Sequence, residues 1–87
     1  MYVIMVYDVG EERVAQVLKI ARKYLFWVQN SVLEGEITEA NFIRLQKEVS
    51  KVIDIERDNI MFYVLRTTKY FSKITIGTVK GSPEVIL

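Results

Sequence analysis

Histidine and cysteine are absent from all 87 positions. Their absence excludes Ser-His-Asp and Cys-His nucleophilic triads, imidazole acid-base catalysis, and zinc sites built on thiolate or imidazole. Any chemistry therefore falls to carboxylates, amides, hydroxyls and basic groups. Without cysteine there is no disulfide scaffold, which suits a reducing compartment. Proline occurs once, at Pro83, and glycine four times. There is no Pro/Gly-rich linker, repeat or low-complexity tract, and the chain reads as one domain over residues 1–87. No apolar run approaches transmembrane length and no basic leader precedes the first strand, so a soluble, cytoplasmic chain with no membrane partner is expected.

Apolar residues make up 51% of the sequence, a high share for a chain that buries only about 60–65% of its unfolded surface. Twelve basic and eleven acidic residues leave a net charge of +1, but the charges are segregated. Arg13 to Leu33 holds Arg13, Lys19, Arg22 and Lys23 with no acid, and Asn59 to Pro83 holds Arg66, Lys69, Lys73 and Lys80, again with no acid. Such patterning suits a surface that follows phosphates while the molecule stays near neutral. It equally suits solvated lysines that protect strand edges from aggregation.

The run Tyr2-Val3-Ile4-Met5-Val6-Tyr7 predicts a strand that delivers Asp8 at its exit, ahead of a loop at Gly10. Val14, Val17, Leu18, Ala21 and Leu25 then recur at helical spacing, with Glu11 and Glu12 in the first turn and Arg22 and Lys23 in the last, a charge order that suits the helix dipole. Phe26 to Ile37 reads as two short strands bent at Asn30-Ser31. Thr38 caps a second helix, worth about 1 kcal/mol, whose buried stripe is Phe42, Leu45, Val49, Val52 and Ile53. After the polar stretch Asp54 to Asn59, Ile60 to Leu65 forms another apolar strand, and Lys73 to Val79 a final short one.

The expected fold is α+β: a ferredoxin-like βαββαβ domain with an extra C-terminal strand. In that architecture both helices cover one sheet face, so an ordinary strand alternates apolar with polar. The first and fourth strands do not alternate. Their second face needs cover, and the simplest cover is a second copy, with the apolar tail 83–87 pairing with the partner's sheet edge in a homodimer.

Two readings of Asp8 stand side by side: an Asx turn or helix cap, and metal ligation. Two copies of Asp8 facing each other across a two-fold axis at ~4 Å would repel by about 4 kcal/mol at an effective dielectric near 20. Mg²⁺ or Mn²⁺, which take oxygen ligands, would relieve that repulsion, and could activate water for phosphodiester hydrolysis or neutralise a phosphate. Gln29 and Ser31, in Val28-Gln29-Asn30-Ser31-Val32, can donate to phosphate oxygens or satisfy backbone groups at the bend.

The strand ending Val6-Tyr7-Asp8, Arg13 five residues later, and Val28-Gln29-x-Ser31-Val32 together resemble the CRISPR-associated protein two family, over essentially the whole chain. The resemblance implies a ferredoxin-like homodimer in which Asp8 of both protomers forms a Mg²⁺ site. It also implies a metal-dependent endoribonuclease or deoxyribonuclease, partnered with the CRISPR integrase in spacer acquisition. Carried over by position, Asp8 is the catalytic and metal residue and Arg13 a phosphate contact, with Gln29 and Ser31 the polar groups of the motif. Arg22 and Lys23 join the nucleic-acid-binding candidates from the acid-free segment. Many members of the family carry a basic residue where this chain has Trp27, which leaves base stacking or packing in its place. Three functions compete: a nuclease, a non-catalytic adaptor holding single-stranded RNA or duplex DNA, and a small-molecule regulatory module of the same fold. No glycine-rich ligand loop favours the third.

Overall fold

The computed structural model describes residues 1–79. Six elements follow in order: β1 (Tyr2–Asp8), α1 (Glu11–Ala21), β2 (Phe26–Gln29), β3 (Val32–Glu36), α2 (Glu39–Ser50) and β4 (Asn59–Leu65). The sheet order is β2-β3-β1-β4 with every neighbouring pair antiparallel. Each βαβ unit is thus split by an inserted strand, the ferredoxin-like arrangement expected from the sequence.

Both helices pack on one face. Val3, Met5 and Tyr7 alternate inward from β1 and meet Leu33 of β3, Val17 and Ala21 of α1, and Leu45 and Val49 of α2, all buried. Leu25 and Ile37 close the ends of this core. The expected stripe of α1 is therefore the buried one, though the helix stops at Ala21 and residues 22–24 are a turn. The hydroxyl of Thr38 accepts from the Asn41 amide at 3.1 Å, which satisfies one of the free donors at the start of α2. Phe42 meets Phe62 edge-on, with centroids 5.1 Å apart, and so joins α2 to β4.

Pairing register places Tyr2, Ile4 and Val6 on the opposite, helix-free face, beside Val32 and Glu34 on β3 and Met61, Tyr63 and Leu65 on β4. Met61 is 46% and Tyr63 54% exposed. Two expectations are corrected here. Lys73–Val79 forms no strand: it lies over Val28, Gln29, Val32 and Glu34 and pairs with no strand of the sheet. The helix-free face is also partly covered by the chain itself: Phe71 stacks on Tyr2 at 5.4 Å, and Lys73 pairs with Glu34. That cover is partial, since Tyr70, Ile74 and Ile76 within the covering segment are themselves largely exposed. The tail expected to reach a partner's sheet edge lies outside the described residues.

Candidate functional site

Asp8 is the last residue of β1, directly opposite Asn59 at the start of β4. Strand alternation puts it on the helix-free face with Tyr2, Ile4 and Val6, at the rim, and it is exposed. The residue at the α1 N-cap is Gly10, and no side chain caps that helix. The cap reading of Asp8 is therefore removed. Among the described residues its carboxylate takes part in no hydrogen bond or ion pair.

A different acid holds the loop. Asp58, whose side chain is fully buried, accepts from the Gly10 amide at 2.9 Å, the Asp54 amide at 2.8 Å, and Arg13 Nε and Nη2 at 2.6 and 2.9 Å. The guanidinium first, and then the two backbone amides, hold the Asp58 carboxyl well below the usual carboxylate range, against the opposing effect of burial. The same bonds push Arg13 further up. A Cβ on Gly10 would lie 2.4 Å from Arg13 Nη2 and 2.6 Å from Glu12 Oε1, so a side chain here would have to displace the guanidinium that Asp58 holds. Arg13, expected as a phosphate contact, is thus committed to Asp58 on one side and approached by Glu12 at 3.7 Å on the other.

The β2–β3 turn is fastened to the same end of β1. Tyr7 donates its amide to the Ser31 carbonyl and its hydroxyl to the Asn30 carbonyl, each at 3.0 Å. Asn30 sits at φ +28°, a backbone region that asparagine tolerates better than most residues. Ser31 therefore lies beside the strand end that carries Asp8. Gln29, with Val28, Val32 and Glu34, lines a cavity of about 290 Å³ under the segment 73–79.

Arg22 and Lys23 lie at the far end of α1, about 16 Å along the helix from its start at a rise of ~1.5 Å per residue. Lys23 pairs with Glu48, which also accepts from the Tyr24 hydroxyl, and Arg22 lies over the Trp27 ring. The structure thus ties the Ser31 backbone to Tyr7, next to Asp8, holds Arg13 in the loop, and sets Arg22 and Lys23 apart. Sequence reasoning missed Asp58 and the buried Glu34, which accepts from the Tyr2 hydroxyl at 2.7 Å. Asp58 gave no separate signal among the acids of the stretch Asp54 to Asp58, because Gly10 and Arg13, which it holds, lie more than forty residues away.

Carboxylate oxygens suit Mg²⁺ or Mn²⁺ chemically. Among the described residues, however, no three acidic side chains converge on a point.

The model of the CRISPR associated protein Cas2 family matches residues 1–73. The chain is 55% identical over 87 residues to the CRISPR-associated endoribonuclease Cas2 of Dictyoglomus turgidum, with all of both chains covered. It is 58% identical over 86 residues to the protein of that name from Thermotoga maritima, with 99% of each covered. A crystal structure of a Cas2 superposes with a TM-score of 0.82 at 40% identity, covering 100% of this chain and 98% of the other. Together with the split βαβ sheet and the Asp8 strand end, these likenesses show that the chain belongs to the Cas2 family of CRISPR-associated proteins.

Proposed function

We propose that the protein acts as a homodimer on nucleic acid in CRISPR spacer acquisition, as a metal-dependent endonuclease with Asp8 as its catalytic and metal-ligating residue. The observation that carries this reading is the state of Asp8. It is an exposed carboxylate with no structural duty, at the rim of an apolar face, while buried Asp58 fixes the loop behind it. A second copy laid on the helix-free face would cover Met61, Tyr63 and the exposed Ile74 and Ile76, and would supply a second Asp8.

In that dimer the two Asp8 carboxylates would hold Mg²⁺ or Mn²⁺, which when bound supplies an activated water and charge neutralisation at a phosphate. The protein's own part is to present Asp8 in a fixed place at the end of β1. Arg13 acts in this account through Asp58, as a brace for the loop. Ser31, whose carbonyl accepts from the Tyr7 amide at the strand end before Asp8, is a candidate phosphate contact.

The relatives' names as endoribonucleases favour RNA cleavage. A second reading, an adaptor that bridges the CRISPR integrase and holds a duplex, is favoured by the lone carboxylate per chain, thin equipment for a hydrolase. Cleavage of single-stranded RNA and of duplex DNA by wild type and Asp8→Asn, with and without Mg²⁺, separates the two. The nuclease reading expects Mg²⁺-dependent cleavage lost in the variant while dimer and nucleic-acid affinity persist. Equal residual cleavage by both proteins would sink the enzyme reading. Normal integrase-dependent spacer insertion by the variant would then leave the adaptor.

A further inference from the structure

Trp27 is the only tryptophan in the chain and stands on the edge strand β2. It packs against the core, and its indole N–H donates to the Asn30 carbonyl at 2.9 Å. The Arg22 guanidinium carbon lies 5.6 Å from the centre of its ring, within reach of a cation–π contact. The indole is therefore fixed by the core and a carbonyl, with a cation over its face.

Arg22 has the opposite character. It is exposed, and among the described residues it takes part in no ion pair. Lys19 lies one turn earlier, on the same face of α1. A guanidinium resting on an aromatic face keeps its in-plane N–H donors directed outward, and that fork matches a phosphate's oxygens. Lys23, by contrast, is partly neutralised by Glu48.

We infer that Trp27 is a positioning residue that holds Arg22 as a phosphate contact at the β2 edge, and that its ring does not serve as a stacking platform for bases. This rests on the nucleic-acid-binding reading above and assigns a surface for it away from Asp8. The strip formed by Arg22 and Lys19 would follow a sugar-phosphate backbone without reading its sequence.

The test uses the full-length protein and exploits the single tryptophan. Affinity for a fluorescein-labelled duplex DNA is measured across a salt series for wild type, Arg22→Ala, Trp27→Phe and Trp27→Leu. Loss of one phosphate contact should reduce the slope of log K against log salt by about 0.9. Arg22→Ala and Trp27→Leu should each show that reduction, Trp27→Phe should retain the wild-type slope because a ring remains, and Arg22→Ala with Trp27→Leu should lose no more than either alone. Saturating wild type with single-stranded RNA should leave the tryptophan emission nearly unquenched. Arg22→Ala changes an exposed residue and should fold normally, so its slope stands as evidence even if Trp27→Leu is unstable. An unchanged slope in Arg22→Ala, or strong quenching of Trp27 by the RNA, overturns the inference while leaving nucleic-acid binding intact. Failure of wild type to bind either probe overturns both this inference and the reading it rests on.

Discussion

Arg13 and Asp58, forty-five positions apart in sequence, form a two-pronged ion pair that pins the loop between β1 and α1 to the chain just before β4. Because Asp58 is fully buried and also holds the Gly10 and Asp54 amides, removing either partner leaves buried groups unsatisfied. Asp58→Ala should lower Tm by about 10 °C or more, measured by thermal unfolding at neutral pH. Arg13→Ala should do nearly the same, and the double variant little worse than either. A wild-type Tm in Asp58→Ala would show that the pair is ornamental.

The pH dependence has a definite sign. Asp58 has a folded-state pKa depressed by Arg13 and by backbone amides, so its contribution is fully present above the unfolded carboxylate pKa of about 4 and is lost as pH falls toward the folded value. Glu48, lowered mainly by Lys23 and Tyr24, acts in the same direction. Wild type should therefore lose stability steadily below about pH 4, while Asp58→Asn, less stable at pH 7, should show a flatter acid limb. Denaturant titrations from neutral to acid pH measure the gap between the two, which should narrow. A constant gap would mean that Asp58 is not titrating as its surroundings imply.

Gly10 has an ordinary φ of −54°, so alanine there is opposed by contact and not by backbone strain. The clashes are with the Arg13 guanidinium, which Asp58 prevents from moving aside, and with Glu12 Oε1 at 2.6 Å, the far end of an exposed side chain that can turn away. Gly10→Ala should destabilise wild type, yet in an Arg13→Ala background it should be neutral or stabilising by about 0.4–1 kcal/mol through the unfolded chain. Urea unfolding of the four proteins decides it. An equal cost in both backgrounds would place the clash elsewhere.

The apolar helix-free face makes a prediction about assembly. Tyr63→Glu places a charge among Met61, Ile4 and Leu65 where a second copy is expected to sit. Sedimentation at low micromolar concentration should show two chains for wild type and a shift toward one, or toward aggregation, for the variant. A wild type that stays a stable monomer would remove the basis for a shared Asp8 site.

Much of this was legible in the sequence, since the signals were local. The stripe Val14, Val17, Leu18, Ala21 and Leu25 defines α1, Thr38 caps α2, and Asn30-Ser31 marks the turn. Asp8 at a strand exit was legible for the same reason. Arg13 was not, because whether an arginine faces a phosphate or a buried carboxylate depends on a partner far along the chain. The misplaced strand at Lys73 to Val79 has a related cause: β-branched residues announce an extended chain, but whether a ladder forms depends on an edge that the local sequence does not specify. The cover it gives the sheet through Phe71 and Lys73 was equally invisible.

In the proposed dimer, Asp8 residues from two chains share a cation at the rim of the helix-free face. The direct measurement is Mn²⁺ binding to the purified protein, followed by electron paramagnetic resonance and calorimetry, with Asp8→Asn alongside. One tightly held ion per two chains is expected in wild type, and none in a variant that remains dimeric. One ion per chain, or the same binding in Asp8→Asn, would contradict it.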